Sequence, residues 1–247
     1  MQLYPAIDVQ GGSVARADRA ADPVAGARAL AAAGVAWAHL VDLDRARGAA
    51  RDDRTVRDVI AALAGVRVQL GGGLEDPDDV REALGWGVAR VVVGAGAVHR
   101  LNELVQVAGA DRLGLSIDVP QPPSRSRAHP RSPSPSGRGG TKGDHKSPLA
   151  GTERGTGGED SAIARAVESG ITTVIYRDGD RDGTLRGANL EGAARLLGRG
   201  ADIVLAGGIA TLDEIRRARE AGFAGVIVGR ALLAGRFTLA EALQCCG

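Results

Sequence analysis

Three carboxylates stand where a chain can do proton chemistry. Asp8 lies at the end of the apolar run Leu3–Val9, Asp118 at the end of Leu113–Val119, and Asp182 just beyond Thr172–Tyr176. Carboxylates that project into a shared mouth can divide acid and base roles when their environments split their pKa values. Asp is also an ordinary turn and helix-cap residue. Asp178 reads that way, whereas Asp8, which closes an apolar strand and has a counterpart in Asp118, reads as functional. Asp182-Gly183-Thr184 sits near Arg181 and Arg186, a composition suited to holding an anion.

Glycines form the second group. Gly71-Gly72-Gly73 and Gly94-Ala95-Gly96 follow the third and fourth apolar runs; Gly207-Gly208 and Gly229-Arg230 follow the seventh and eighth. Glycine lets backbone N–H groups approach a phosphate closely, and a following helix start adds its dipole. Glycine also simply permits a tight turn. Four such turns in two matched pairs point to two phosphate sites on opposite sides of one mouth. His39, inside the second run, reads on its own as a core or rim histidine. Arg16 reads as a solvated charge, and Trp37 and Trp86 as packing residues.

The elements that must carry these residues alternate along the chain. Strands are expected over Leu3–Val9, Trp37–Asp44, Val66–Leu70, Arg90–Val93, Leu113–Val119, Thr172–Tyr176, Asp202–Leu205 and Gly225–Val228. Most are rich in Val, Ile and Leu with little polar alternation, as strands buried on both faces are. Helical patterns fall between most of them, among them Pro23–Ala33, Asp78–Leu84, Ile163–Ser169 and Leu212–Ala221. Thr211 followed by Glu214 forms a capping box at the start of the last of these. Such alternation predicts parallel strands joined by crossover helices, in either a closed barrel or an open sheet.

An internal repeat favours the barrel. Leu70–Val98 aligns without a gap on Leu205–Leu233, placing Gly72, Gly73, Gly87 and Gly94 on Gly207, Gly208, Gly222 and Gly229. Ala6-Ile7-Asp8-Val9 echoes Ser116-Ile117-Asp118-Val119. Two similar four-strand halves close naturally into eight strands. The expectation is an α/β fold, a single (β/α)8 TIM barrel domain over residues 1–247 with an internal half-barrel repeat. Pro120–Asp160 breaks the pattern, holding seven of the ten prolines and, beyond Pro120, Leu149 as its sole large apolar residue. It reads as a disordered loop insertion after the fifth strand.

Bulk properties exclude several classes. Hydrophobic residues make up 44%, charged residues 25% and aromatics 2%, so the core must be aliphatic. A net charge of +1 asks for neither nucleic acid nor an anionic membrane as partner. The start MQLYPAIDV is not a secretory signal, and no apolar stretch is long enough to span a bilayer. Cys245 and Cys246 are adjacent, a poor arrangement for a disulfide or a metal site. The expectation is a cytoplasmic protein with no metal centre.

Six ordered segments carry a family resemblance: Pro5-Ala6-Ile7-Asp8-Val9, His39–Asp44, Gln69–Gly73, Asp182–Leu185, Ala206–Ile209 and Val226–Leu232. Together they resemble the histidine-biosynthesis aminoaldose–ketose isomerases, which act on phosphoribosylformimino-aminoimidazole carboxamide ribotide. Within that family the chain is similar to the actinobacterial phosphoribosyl isomerase A branch. The resemblance covers nearly the whole chain except Pro120–Asp160. It implies an Amadori rearrangement in a monomeric β/α barrel, on a small bisphosphorylated ribotide, with no cofactor. It implies Asp8 as general base and Asp182 as general acid. It implies Arg16, His39, Asp118, Gly183 and Thr184 as substrate contacts. The turns at Gly72, Gly73, Gly94 and Gly96 and at Gly207, Gly208, Gly229 and Arg230 would be the two phosphate sites. Where the family carries Arg, Thr and Thr, this chain has Glu75, Ala95 and Arg177. Two other functions stay open on the sequence: a dual-substrate isomerase that also takes phosphoribosylanthranilate, and a non-catalytic phosphosugar-binding paralogue.

Overall fold

A computed structural model describes residues 1–15, 21–49, 51–118 and 156–247. Its strands are β1 (Gln2–Gln10), β2 (Ser13–Val14), β3 (Trp37–Asp42), β4 (Arg67–Gly71), β5 (Arg90–Gly94), β6 (Leu113–Asp118), β7 (Thr173–Arg177), β8 (Asp202–Ala206) and β9 (Gly225–Val228). β2 folds back antiparallel on β1 through Gly11-Gly12, both at positive φ, as a two-residue hairpin requires. The other eight strands are parallel neighbours in chain order, and β1 pairs with β9 to close the ring. The protein is a (β/α)8 barrel.

The helices are α1 (Pro23–Ala32), α2 (Leu43–Ala46), α3 (Asp53–Ala62), α4 (Pro77–Gly85), α5 (Leu101–Ala108), α6 (Thr156–Glu168), α7 (Leu190–Ala194), α8 (Leu212–Glu220), α9 (Arg230–Leu233) and α10 (Leu239–Cys246). Their starts are set by side-chain caps. Asp22, Asp52 and Asp76 accept N–H bonds ahead of α1, α3 and α4, replacing donors the first turn leaves unpaired. Thr211 and Glu214 form the expected capping box, and Thr238 and Glu241 form a second at α10. No helix among the described residues is long and apolar enough to cross a membrane.

Most element boundaries shift by a residue or so from the sequence expectation, and two differ by more. The second strand was expected to reach Asp44 but ends at Asp42, because the Asp42 carboxylate accepts the N–H of Arg45 and turns the chain into α2. The expected loop Pro120–Asp160 stops short at its far end, since Thr156–Asp160 already belong to α6. Buried Ala162 and Ile163 anchor that helix, and Glu159 in its first turn suits the dipole. The rest of the segment, 120–155, lies outside the described residues, as does the last residue, 119, of the expected fifth strand.

Two apolar layers form the core. The larger lies between the barrel and its helices and includes Leu40, Leu70, Val91, Leu115, Val174, Leu205 and Val226. The smaller fills the barrel with Tyr4, Trp37, Val92, Ile175, Val204, Ala206 and Ile227. Alternation along each strand sends one set outward and the other inward. The inward set continues above this apolar floor as Asp8, His39, Val41, Gly94, Ser116, Asp118 and Arg177, which line the mouth.

Candidate active site

The mouth is a cavity of about 280 Å³ at the C-terminal ends of the strands. This is the face where β/α barrels build their sites. Asp8 from β1, Asp118 from β6 and Asp182 from the loop after β7 all line it. So do His39, Gly72, Gly73, Gly94, Gly183, Gly207, Gly208, Gly229 and Arg230. The wall does not include Gly96 or Thr184. Gly96 lies behind it against the Glu75 carboxylate. The Thr184 hydroxyl is engaged in its own turn, donating to the Arg181 carbonyl oxygen at 2.7 Å. Arg16 lies outside the described residues.

Arg177 places a guanidinium in the mouth beside its carboxylates. It pairs in register with Asp118 across β6 and β7. Its Nε and Nη2 donate to Asp118 Oδ1 and Oδ2 at 2.5 and 2.7 Å, the two-point fork that a guanidinium makes best. Its Nη1 lies 3.9 Å from Asp182 Oδ2. The Asp118 hydrogen bond first, and the charges of Asp118, Asp182 and Asp8 after it, raise the guanidinium pKa against the opposing pull of burial. One cation therefore sits among the three carboxylates that the sequence marks for chemistry.

His39 is held from below by a polar chain built on buried Gln69. Arg90 Nη1 donates to Gln69 Oε1 at 3.2 Å, which turns the Gln69 amide nitrogen toward His39 Nδ1 at 3.0 Å. Nδ1 is then the acceptor, and the proton of the neutral ring resides on Nε2. Burial, helped by the nearby Arg177 charge, lowers the His39 pKa to about 4. Near neutral pH the ring is an uncharged hydrogen-bond donor. Arg90 is itself stacked on Trp37, 4.8 Å from the ring centroid.

The glycine turns have a structural requirement of their own. Gly72 and Gly73 adopt φ of +115° and +66°, and a Cβ at Gly72 would lie 2.2 Å from the Asp42 carbonyl oxygen. In the other half Gly207 adopts φ of +88°, and its Cβ would meet the Asp178 carbonyl oxygen at 2.8 Å. Each turn thus packs on an aspartate at the exit of the preceding strand, Asp42 at the end of β3 and Asp178 just after β7. Asp42 and Asp178 are both buried. Each accepts the backbone N–H of the arginine three residues on, Arg45 at 3.0 Å and Arg181 at 3.2 Å. Asp178 is therefore a turn aspartate, as its sequence context suggests, although it is buried deeply.

The sequence does not mark Arg177, Gln69 or Asp42 as part of the site, and it marks Asp178 only as a turn residue. The aspartate pair had a readable signal, since Asp42-Leu43-Asp44-Arg45 recurs as Asp178-Gly179-Asp180-Arg181. Gln69 had none, because an inward direction in a strand is set only once the barrel closes.

The Histidine biosynthesis protein family model matches residues 2–238. A curated relative from Anaeromyxobacter sp. (strain K) is 39% identical over 255 aligned positions, covering 99% of this chain and 98% of the relative. One from Symbiobacterium thermophilum is 38% identical over 265 positions, covering 100% and 97%. One from Maricaulis maris is 35% identical over 261, covering 99% and 98%. All three are named as 1-(5-phosphoribosyl)-5-((5-phosphoribosylamino)methylideneamino) imidazole-4-carboxamide isomerases. With the barrel, the strand-end carboxylates and the paired glycine turns, these matches place the chain in the histidine biosynthesis protein family.

Proposed function

We propose that the chain is an aldose–ketose isomerase of histidine biosynthesis that converts an N-linked phosphoribosyl aminoaldose to the aminoketose. The substrate in the relatives' names carries two phosphoribosyl groups, hence two phosphates. The observation that carries the reading is the presence of Asp8 and Asp182 in one mouth with the Asp118–Arg177 fork.

The chemistry needs one acid and one base. Asp182 protonates the furanose ring oxygen, and the C1–O bond breaks to leave an open-chain iminium. Asp8 then removes the C2 proton; the C2–H electron pair forms the C1=C2 bond as the C1=N pair returns to nitrogen, giving an enolamine. Protonation at C1 and loss of the O2 proton give the aminoketose. Substrate and product have the same composition, so the two carboxylates exchange protons without net consumption. Positioned acid–base groups of this kind contribute about 10²–10⁴-fold each.

The remaining residues bind. His39 donates through Nε2 to a substrate oxygen, and Asp118, held by Arg177, accepts from a sugar hydroxyl. Gly207, Gly208, Gly229 and Arg230 hold one phosphate; Gly72, Gly73 and Gly94 face the other, with Gly96 in the turn behind them. Gly183 and Thr184 shape the loop that carries Asp182, and Arg16 joins the substrate contacts. The chain works on this reading as a cytoplasmic monomer without metal or organic cofactor. A spectrophotometric assay with the bisphosphorylated ribotide tests it: turnover is expected, and folded protein that gives none would overturn it.

A further inference from the structure

The two half-barrels place matching turns on opposite sides of the mouth but line them with opposite charge. Under the shift that carries Leu70 onto Leu205, Glu75 falls on Ala210 and Ala95 on Arg230. Glu75 and Arg230 both line the cavity. The Glu75 carboxylate lies against the turn after β5. A Cβ at Gly96 would be 3.0 and 3.1 Å from its two oxygens, and one at Gly94 would be 3.2 Å from Oε1. Arg100, beside it, is directed to the Glu75 backbone oxygen, to Asp76 and to Glu103. On the other side Arg230 lines the cavity and donates to the Gly183 carbonyl oxygen at 2.6 Å. The lining therefore carries a guanidinium at the β8–β9 end and a carboxylate at the β4–β5 end.

We propose that Glu75 is a specificity-determining residue that disfavours a phosphate at the β4–β5 end. It lowers the preference of the site for a bisphosphorylated ligand over one phosphorylated at the β8–β9 end alone. The proposal rests on the reading of the glycine turns as phosphate sites. A carboxylate facing a phosphate dianion at contact range repels it even in a well-hydrated setting, by about tenfold in affinity. Because Glu75 is exposed, the repulsion is screened by salt.

The test compares the full-length chain with Glu75→Gln by calorimetry at low and high salt. The probes are ribose 5-phosphate, with one phosphate, and the bisphosphorylated ribotide. At low salt Glu75→Gln is expected to tighten the ribotide about tenfold and leave ribose 5-phosphate unchanged, with the gap shrinking at high salt. An affinity ratio between the two probes that is the same in both proteins would overturn the proposal. Turnover by the wild-type chain reads the proposed function separately.

Discussion

Asp118 and Arg177 face each other across neighbouring strands in a two-point fork, with Nε–Oδ1 at 2.5 Å and Nη2–Oδ2 at 2.7 Å. The fork fixes one carboxylate of the mouth and leaves Nη1 reaching toward Asp182 at 3.9 Å. Arg177→Gln is expected to lower kcat/KM about 10–100-fold by releasing both carboxylates from their orientation. Because the fork is partly exposed, stability should change by less than about 1 kcal/mol. Arg177→Lys should not restore activity, since an ammonium cannot make the paired contact. Steady-state kinetics with denaturant melts checks both parts; full activity in Arg177→Gln would remove the fork from the account.

Gly72 is expected to tolerate no side chain. With φ at +115° and a Cβ 2.2 Å from the Asp42 carbonyl oxygen, Gly72→Ala must distort the β4 turn. The cost should exceed about 3 kcal/mol. Gly87, also at positive φ (+91°) but with open space around it, provides the comparison. Gly87→Ala should cost about 1 kcal/mol. Urea unfolding of the two variants separates close packing from backbone strain alone, and equal losses would contradict the packing argument.

His39 predicts a pH dependence of stability. Its folded pKa, about 4, lies below the ordinary 6.5, so protons bind more readily to the unfolded chain. Its contribution is constant above about pH 6.5, falls as the pH drops toward 4, and levels off below that. At pH 4.5 the loss should be on the order of 2 kcal/mol relative to pH 7.5. His39→Gln should lose that much less over the same interval. Denaturant melts at the two pH values check this, and identical pH dependence in the two proteins would contradict it.

Much of this architecture is legible in the residues. Gly225–Val228 is found as the sequence marks it, the other seven barrel strands differ mainly at their ends, and the two-residue β2 is unmarked in the sequence. The barrel strands read clearly because strands covered on both faces are nearly continuous Val, Ile and Leu. The Thr211–Glu214 capping box is legible for a local reason, since its partners are three residues apart. The Arg90–Gln69–His39 chain is not. Its members come from three strands, and register alone brings them together. Arg177 stands out in the sequence only as a departure from the family pattern. Its partner Asp118 is 59 residues away, and the pairing of β6 with β7 gives it meaning.

Asp8 is proposed as the base and Asp182 as the acid of an Amadori isomerase. The most direct measurement is the isomerase assay on the bisphosphorylated ribotide with the wild-type chain, Asp8→Asn and Asp182→Asn, each first shown to be folded. The account predicts turnover by the wild type and a loss of about 10²–10⁴-fold in each variant, with ribotide binding retained. Folded wild-type protein without turnover, or Asp8→Asn that keeps its rate, would contradict it.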